Sequence, residues 1–78
     1  MRYLVVVEQS VTGFSAYSPD LPGCVASSVT REAIEDEMSK AITFHIEGLR
    51  AEGLEAPQPR TSSIYVDVPI GAHSQAVD

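Results

Sequence analysis

Four carboxylates are the first residues to test for chemistry: Glu8, Asp20, Glu32 and Asp36. A metal-dependent nuclease gathers several such groups on a hard divalent cation. Here Glu8 ends a strand-like run, Asp20 sits among turn formers, and Glu32 and Asp36 share a helical face. No central strand position carries Asp or Glu, so metal-dependent cleavage is the remote reading. His45 falls on an apolar helical stripe and reads as an amphipathic packing residue. His73 lies near the C-terminal end, and neither histidine has a cysteine or carboxylate at metal-ligand spacing. Cys24 has no CxxC partner and no adjacent base, so it reads as a small buried apolar residue. There is no nucleophile motif, and Gly13 and Gly23 stand alone rather than in a phosphate loop. The sequence therefore points to no catalytic residue, no metal site and no cofactor.

The elements that position these residues belong to one small domain. Of 78 residues, 11 are acidic and 5 basic, a net charge of −6. That balance opposes binding to phosphate backbones, which needs a basic patch, and suits a partner with a basic surface. A single cysteine excludes an intramolecular disulfide. The longest N-terminal apolar run, residues 4–7, is too short for a leader or a membrane span, so a cytoplasmic protein is expected. A domain of this size buries only about 60% of its unfolded surface, and an oligomer or partner would help stabilise it.

Residues 18–24 organise the chain: Ser-Pro-Asp-Leu-Pro-Gly-Cys. Pro19 and Pro22 fix φ and remove donors, and Pro22-Gly23 fits the centre of a type II turn. Asp20 is expected to bond its own backbone two residues on. Before this turn, residues 3–8 read as a strand apolar on both alternating sets, joined by a five-residue loop, 9–13, to a second strand, 14–18. After it, residues 24–28 read as a weak edge strand.

Thr30 then caps a helix whose stripe is Ile34, Met38, Ala41, Ile42, His45, Ile46 and Leu49. Asp36 and Lys40 are a favourable i,i+4 pair. Gly53 ends the helix as a Schellman residue before Leu54. Gly48 is expected to let the helix approach the sheet closely, and Phe44 to lie at the core edge. Residues 56–60 form an extended connector, and residues 64–68 alternate as a last strand. The expected fold is α+β in the order β-β-β-α-β, a small, mostly antiparallel sheet with one helix on one face. Residues 1–68 form the domain and 69–78 a frayed tail.

One helix covers one face of such a sheet. The other face, or the third strand's edge, is expected to form a homo-oligomer or bind a partner, with Tyr3, Val5, Val7 and Tyr17 as the candidate oligomer face. Glu32, Glu35, Asp36 and Glu37 are the candidate docking surface for a basic partner; without one, such a cluster is a solvated helix face.

Three segments together carry a family resemblance. The turn Pro19-Asp20-Leu21-Pro22-Gly23-Cys24 lies between short strands, Val29-Thr30-Arg31-Glu32-Ala33 opens the helix, and Ala41-Ile42…His45…Gly48-Leu49…Gly53 closes it before Pro57 and Pro59. In this order and spacing the chain resembles the HicB antitoxins and their solitary relatives, over about residues 3–68. The resemblance implies a degenerate RNase H-like fold and a non-enzymatic role, binding and masking a small basic RNA-cleaving toxin, HicA. It also implies homodimers or homotetramers. Many members add a C-terminal DNA-binding segment. The ten residues after Val68 carry no helical stripe, so DNA binding by this chain alone is not expected. The alternative within the same resemblance is an orphan domain that self-associates or binds another protein.

Overall fold

The computed structural model describes residues 1–70. The expected tail beyond Ile70, His73 included, lies outside the described residues. Strands β1 (Val6–Ser10), β2 (Gly13–Tyr17) and β3 (Val25–Ser28) form an antiparallel sheet in the order β1-β2-β3, and helix α1 (Arg31–Ala51) follows. This is the expected α+β arrangement with one helix on one face.

The first hairpin is tighter than its composition suggests. Ser10 pairs with Gly13, which leaves only Val11 and Thr12 as the loop. Gly13 has φ +153°, and a Cβ there would run into the Ser28 carbonyl, so the close approach of β3 requires glycine. At the other end, β1 starts at Val6 rather than Tyr3 because its partner turns away. The Ser18 backbone N–H donates to the Cys24 carbonyl at 3.3 Å, and Pro19 has no donor. The Ser18 hydroxyl instead donates to the Leu4 carbonyl at 2.9 Å, which holds the chain that leads into β1.

The turn that follows is two overlapping reversals. Leu21 N–H donates to the Ser18 carbonyl at 3.1 Å, and Cys24 N–H to the Leu21 carbonyl at 3.0 Å. Gly23 has φ +85°, as the second reversal's type II geometry requires. Leu21 and Cys24 point into the core, so the turn is part of the packing. Leu21 is fully buried, with Ala16, Ile34 and Met38 around it.

Helix α1 begins where Thr30 accepts a hydrogen bond from Ala33 N–H at 3.1 Å. It ends in a Schellman motif, with Gly53 N–H on the Arg50 carbonyl (3.0 Å) and Leu54 N–H on the Leu49 carbonyl (2.9 Å). Ile34 and Met38 are buried, and Ala41, Ile42, His45, Ile46 and Leu49 are half-buried. The stripe is therefore the packed face, as its spacing predicts. Gly48 is not a close-approach glycine, because it is exposed and has open space where a Cβ would stand. Phe44 lies off the stripe and is 79% exposed, not a core edge.

The expected fourth strand does not form. Residues 64–68 are extended in sequence character but pair with no strand among the described residues, and Ile64, Tyr65, Val66 and Val68 are all exposed. Alternation marks a stretch as strand-like, but it does not supply the edge that must satisfy its backbone groups.

Candidate interaction surfaces

The turn motif holds more than a reversal. Asp20 makes no bond to its own backbone two residues on, because that residue is Pro22 and has no N–H. Its carboxylate instead clasps the chain after the helix. Oδ1 accepts from the Thr61 hydroxyl at 2.7 Å, and Oδ2 accepts from the Arg60 and Thr61 backbone N–H groups at 2.9 and 3.0 Å. The Thr61 hydroxyl bond, then the Arg60 N–H, holds the Asp20 carboxyl below the usual carboxylate range. A second tie nearby is the Tyr3 hydroxyl donating to the Pro57 carbonyl at 2.6 Å. Arg60 and Thr61 carried no sequence signal as partners of residue 20. The one available clue was negative, the missing donor at Pro22.

The four carboxylates first considered for chemistry are spread apart. Glu8 lies in the row Glu8–Ser15–Ser27, on the sheet face away from the helix. Asp20 has both oxygens engaged at the turn, and Glu32 and Asp36 are exposed on α1. Among the described residues no three metal-ligating side chains come together. Cys24 is buried, and burial pushes its thiol pKa up, away from the reactive thiolate.

The acidic candidates all sit on the exposed side of α1, but three of the four, Glu35, Asp36 and Glu37, are already paired. Glu35 accepts from Arg31 at 3.0 Å, and Lys40 sits 3.1 Å from Asp36 and 4.0 Å from Glu37. The Asp36 contact raises the Lys40 pKa. Phe44 follows Lys40 one turn later on the same exposed side, an aromatic side chain amid charge.

The candidate oligomer residues divide between two surfaces. Val7 stands in the row Val7–Ala16–Ala26 beneath the helix, whereas Tyr17 stands in the row Val6–Tyr17–Val25 on the opposite face. The outer row exposes Tyr17 and Val25. Tyr3, Val5 and Val7 instead line a groove of about 510 Å³ with Ile34, Met38 and Ile42. The groove exists because α1 packs mainly across β2 and β3 and leaves the β1 side of the sheet partly open. No helix among the described residues is long and apolar enough to cross a membrane.

This layout, a three-stranded sheet, a Pro-Asp-Leu-Pro-Gly-Cys turn that buries Leu21 and Cys24, and one capped helix, has matches among known proteins. The family model described as "HicB_like antitoxin of bacterial toxin-antitoxin system" matches residues 3–70. The chain belongs to the HicB-like antitoxin family. An uncharacterised 14.9 kDa protein of Haemophilus phage HP1, from the rep-hol intergenic region, is 30% identical over 69 residues. That match takes in 88% of this HicB-like chain and 52% of the phage protein, so the chain spans about half the length of the curated relative it matches. A chain in the solved HicA3 and HicB3 toxin-antitoxin complex is similar with a TM-score of 0.67 at 33% identity, over 77% of this chain and 70% of that one. The crystal structure of antitoxin HicB3 matches with the same TM-score and identity, over 77% of this chain and 44% of that one.

Proposed function

We propose that this HicB-like chain is an antitoxin that binds and masks a small basic toxin of the HicA kind, which cleaves RNA. The observation that carries the reading is the family match over residues 3–70 together with the likeness to a chain of a HicA3–HicB3 complex. The mechanism is occlusion with electrostatic steering in the cytoplasm, and no residue of this chain is catalytic. A net charge of −6 supports attraction to a basic partner. On α1, the exposed Phe44 offers an aromatic anchor, with Glu32, Glu35, Asp36 and Glu37 as the charged surround. The β-β-β-α order supports kinship with a degenerate RNase H-like fold, without its metal-binding carboxylates. Masking asks for no DNA contact from the described residues.

Calorimetric titration with the cognate HicA-like toxin tests this surface. Phe44→Ala is expected to weaken binding by about tenfold or more, as loss of an interface hot spot does. Glu35→Lys with Asp36→Lys is expected to weaken it and flatten its salt dependence. Unchanged affinity in both variants would remove α1 from the interface.

A second reading, an orphan HicB-like domain that only self-associates, is favoured by the unpaired apolar segment 64–68. It predicts association between copies and no toxin binding. A metal-dependent nuclease would require RNA cleavage with magnesium or manganese that Asp20→Ala abolishes.

A further inference from the structure

The apolar groove on the helix side of the sheet is floored by Val5, Val7, Ile34, Met38 and Ile42, with Arg31 at its mouth, and it opens on the β1 side. The chain that follows the helix runs past that open side. The Tyr3 hydroxyl holds the Pro57 carbonyl and Asp20 holds Arg60 and Thr61, so the chain leaves from two fixed points beside the lead into β1. Residues 61–63 border residues 2–5. Tyr65 then faces Val5, Val7, Gln9, Phe14 and Arg31 across a second cavity of about 350 Å³, with its ring fully exposed. Val5, Val7 and Arg31 line both cavities, so Tyr65 stands at the lip of the groove.

We propose that residues 62–66 are a strap, hinged at the Asp20 clasp, that closes over the groove of the same chain with the Tyr65 ring as its plug. The alternation of the segment decides which side chain enters. Tyr65 borders residues on the helix side of the sheet, where Val7 shares a row with Ala16 and Ala26, and Gln9 pairs with Phe14 two residues along. Ile64 and Val66, one residue to either side, then face the other way, toward the outer row Val6–Tyr17–Val25. Closure is the seating of one side chain and asks for no fourth strand in the ladder.

The physical drive is the burial of an aromatic ring that lies in water beside the half-buried Val5 and Val7. The ordering cost is small, because Thr61 is already pinned four residues before Tyr65 and Pro57 and Pro59 stiffen the approach. Arg31 lines both cavities, which places a donor where the phenol oxygen of a seated tyrosine needs one. The same pinning favours the chain's own Tyr65 over a side chain from outside, since a tether raises local concentration. The closed strap withholds the groove from any outside apolar ligand, and release of the clasp opens it.

This inference rests on neither the toxin nor association between copies, so its test uses the full chain alone. Nuclear Overhauser spectra are recorded on the wild type, Asp20→Ala and Thr61→Val, each checked for folding by circular dichroism. In the wild type the Tyr65 ring protons are expected to contact the Val5 and Val7 methyls, at intensities independent of protein concentration. Those contacts are expected to weaken in Thr61→Val, which removes the hydroxyl bond at an exposed position, and to vanish in Asp20→Ala. Thr61→Val keeps the test decisive if Asp20→Ala fails to fold. No contact from Tyr65 to Val5 or Val7 overturns the proposal, and so do contacts from Val66 in its place. Contacts seen only between differently labelled copies overturn it as well, because the plug then comes from another chain. Undiminished contacts in both variants overturn the hinge at Asp20.

Discussion

Residues 18–24 and residues 64–68 are both short, apolar-bearing stretches outside the helix, yet the fold treats them oppositely. Leu21 in the first has no exposed surface, while Tyr65 in the second is fully exposed. The difference lies in where each stretch finds its hydrogen bonds. The turn closes on itself through bonds three residues apart, so its backbone is satisfied locally and Leu21 is delivered to the core at a fixed angle. The terminal stretch needs a neighbouring strand, and the nearest edge in its own copy is left unpaired. Local closure makes a packed element, and an unmet demand for pairing leaves the terminal stretch exposed.

The sharpest way to break this comparison is to hollow out the turn. Leu21→Ala is expected to cost about 2–5 kcal/mol, the range for emptying a packed aliphatic site, which would unfold much of a domain this small. Urea denaturation of that variant beside Val66→Ala at low micromolar concentration measures the contrast, since Val66→Ala is expected to stay within about 0.5 kcal/mol of wild type. Equal losses would mean that the terminal stretch is packed in the single copy.

The two turn glycines should come next, Gly23→Ala being the smaller of the pair. The site has open space around it and φ +85°, so its cost is backbone strain alone, about 1–2 kcal/mol. Gly13→Ala should exceed it, because strain there is joined by a clash with the Ser28 carbonyl. Thermal melts that rank Gly23→Ala above Gly13→Ala would contradict the close approach of β3.

The Asp20 clasp links the two regions and carries a pH signature. Its folded pKa lies below the unfolded value of about 3.9, so the clasp's contribution is complete above that value. It is lost as pH falls through the lower folded pKa. Amide exchange at Arg60 and Thr61 should accelerate in that acid range in the wild type, and at neutral pH in Asp20→Ala. No change at Thr61 in the variant would show that the chain is held elsewhere.

The smallest effect belongs to the exposed ion pair at the start of the helix. Arg31→Ala should cost about 0.3–0.5 kcal/mol, the worth of a solvent-exposed i,i+4 pair, and less in high salt.

What the sequence made legible follows the same division. The helix with its Thr30 cap and Gly53 stop, the Pro22-Gly23 reversal and the buried stripe at Ile34 and Met38 are local patterns, and they fold as read. The errors are non-local. The Asp20 partner lies forty residues away, and residues 64–68 stay unpaired although β1 has a free edge. Tyr17 and Val7 fall on opposite faces because Val7 pairs with Ala16 and Val6 with Tyr17, a register set by the short Val11–Thr12 loop. Phe44 was misplaced for a different reason. It neighbours the stripe in sequence but sits beyond the arc that the sheet covers. Of the candidate site, the family turn motif was visible as residues and its clasp function was not.

RNA cleavage by a HicA-like toxin, titrated with this chain, decides whether masking is what the chain does. Cleavage is expected to fall to background once the folded chain reaches stoichiometry with the toxin, and to return as salt weakens the complex. A toxin that cleaves at its full rate in the presence of excess folded chain would contradict it.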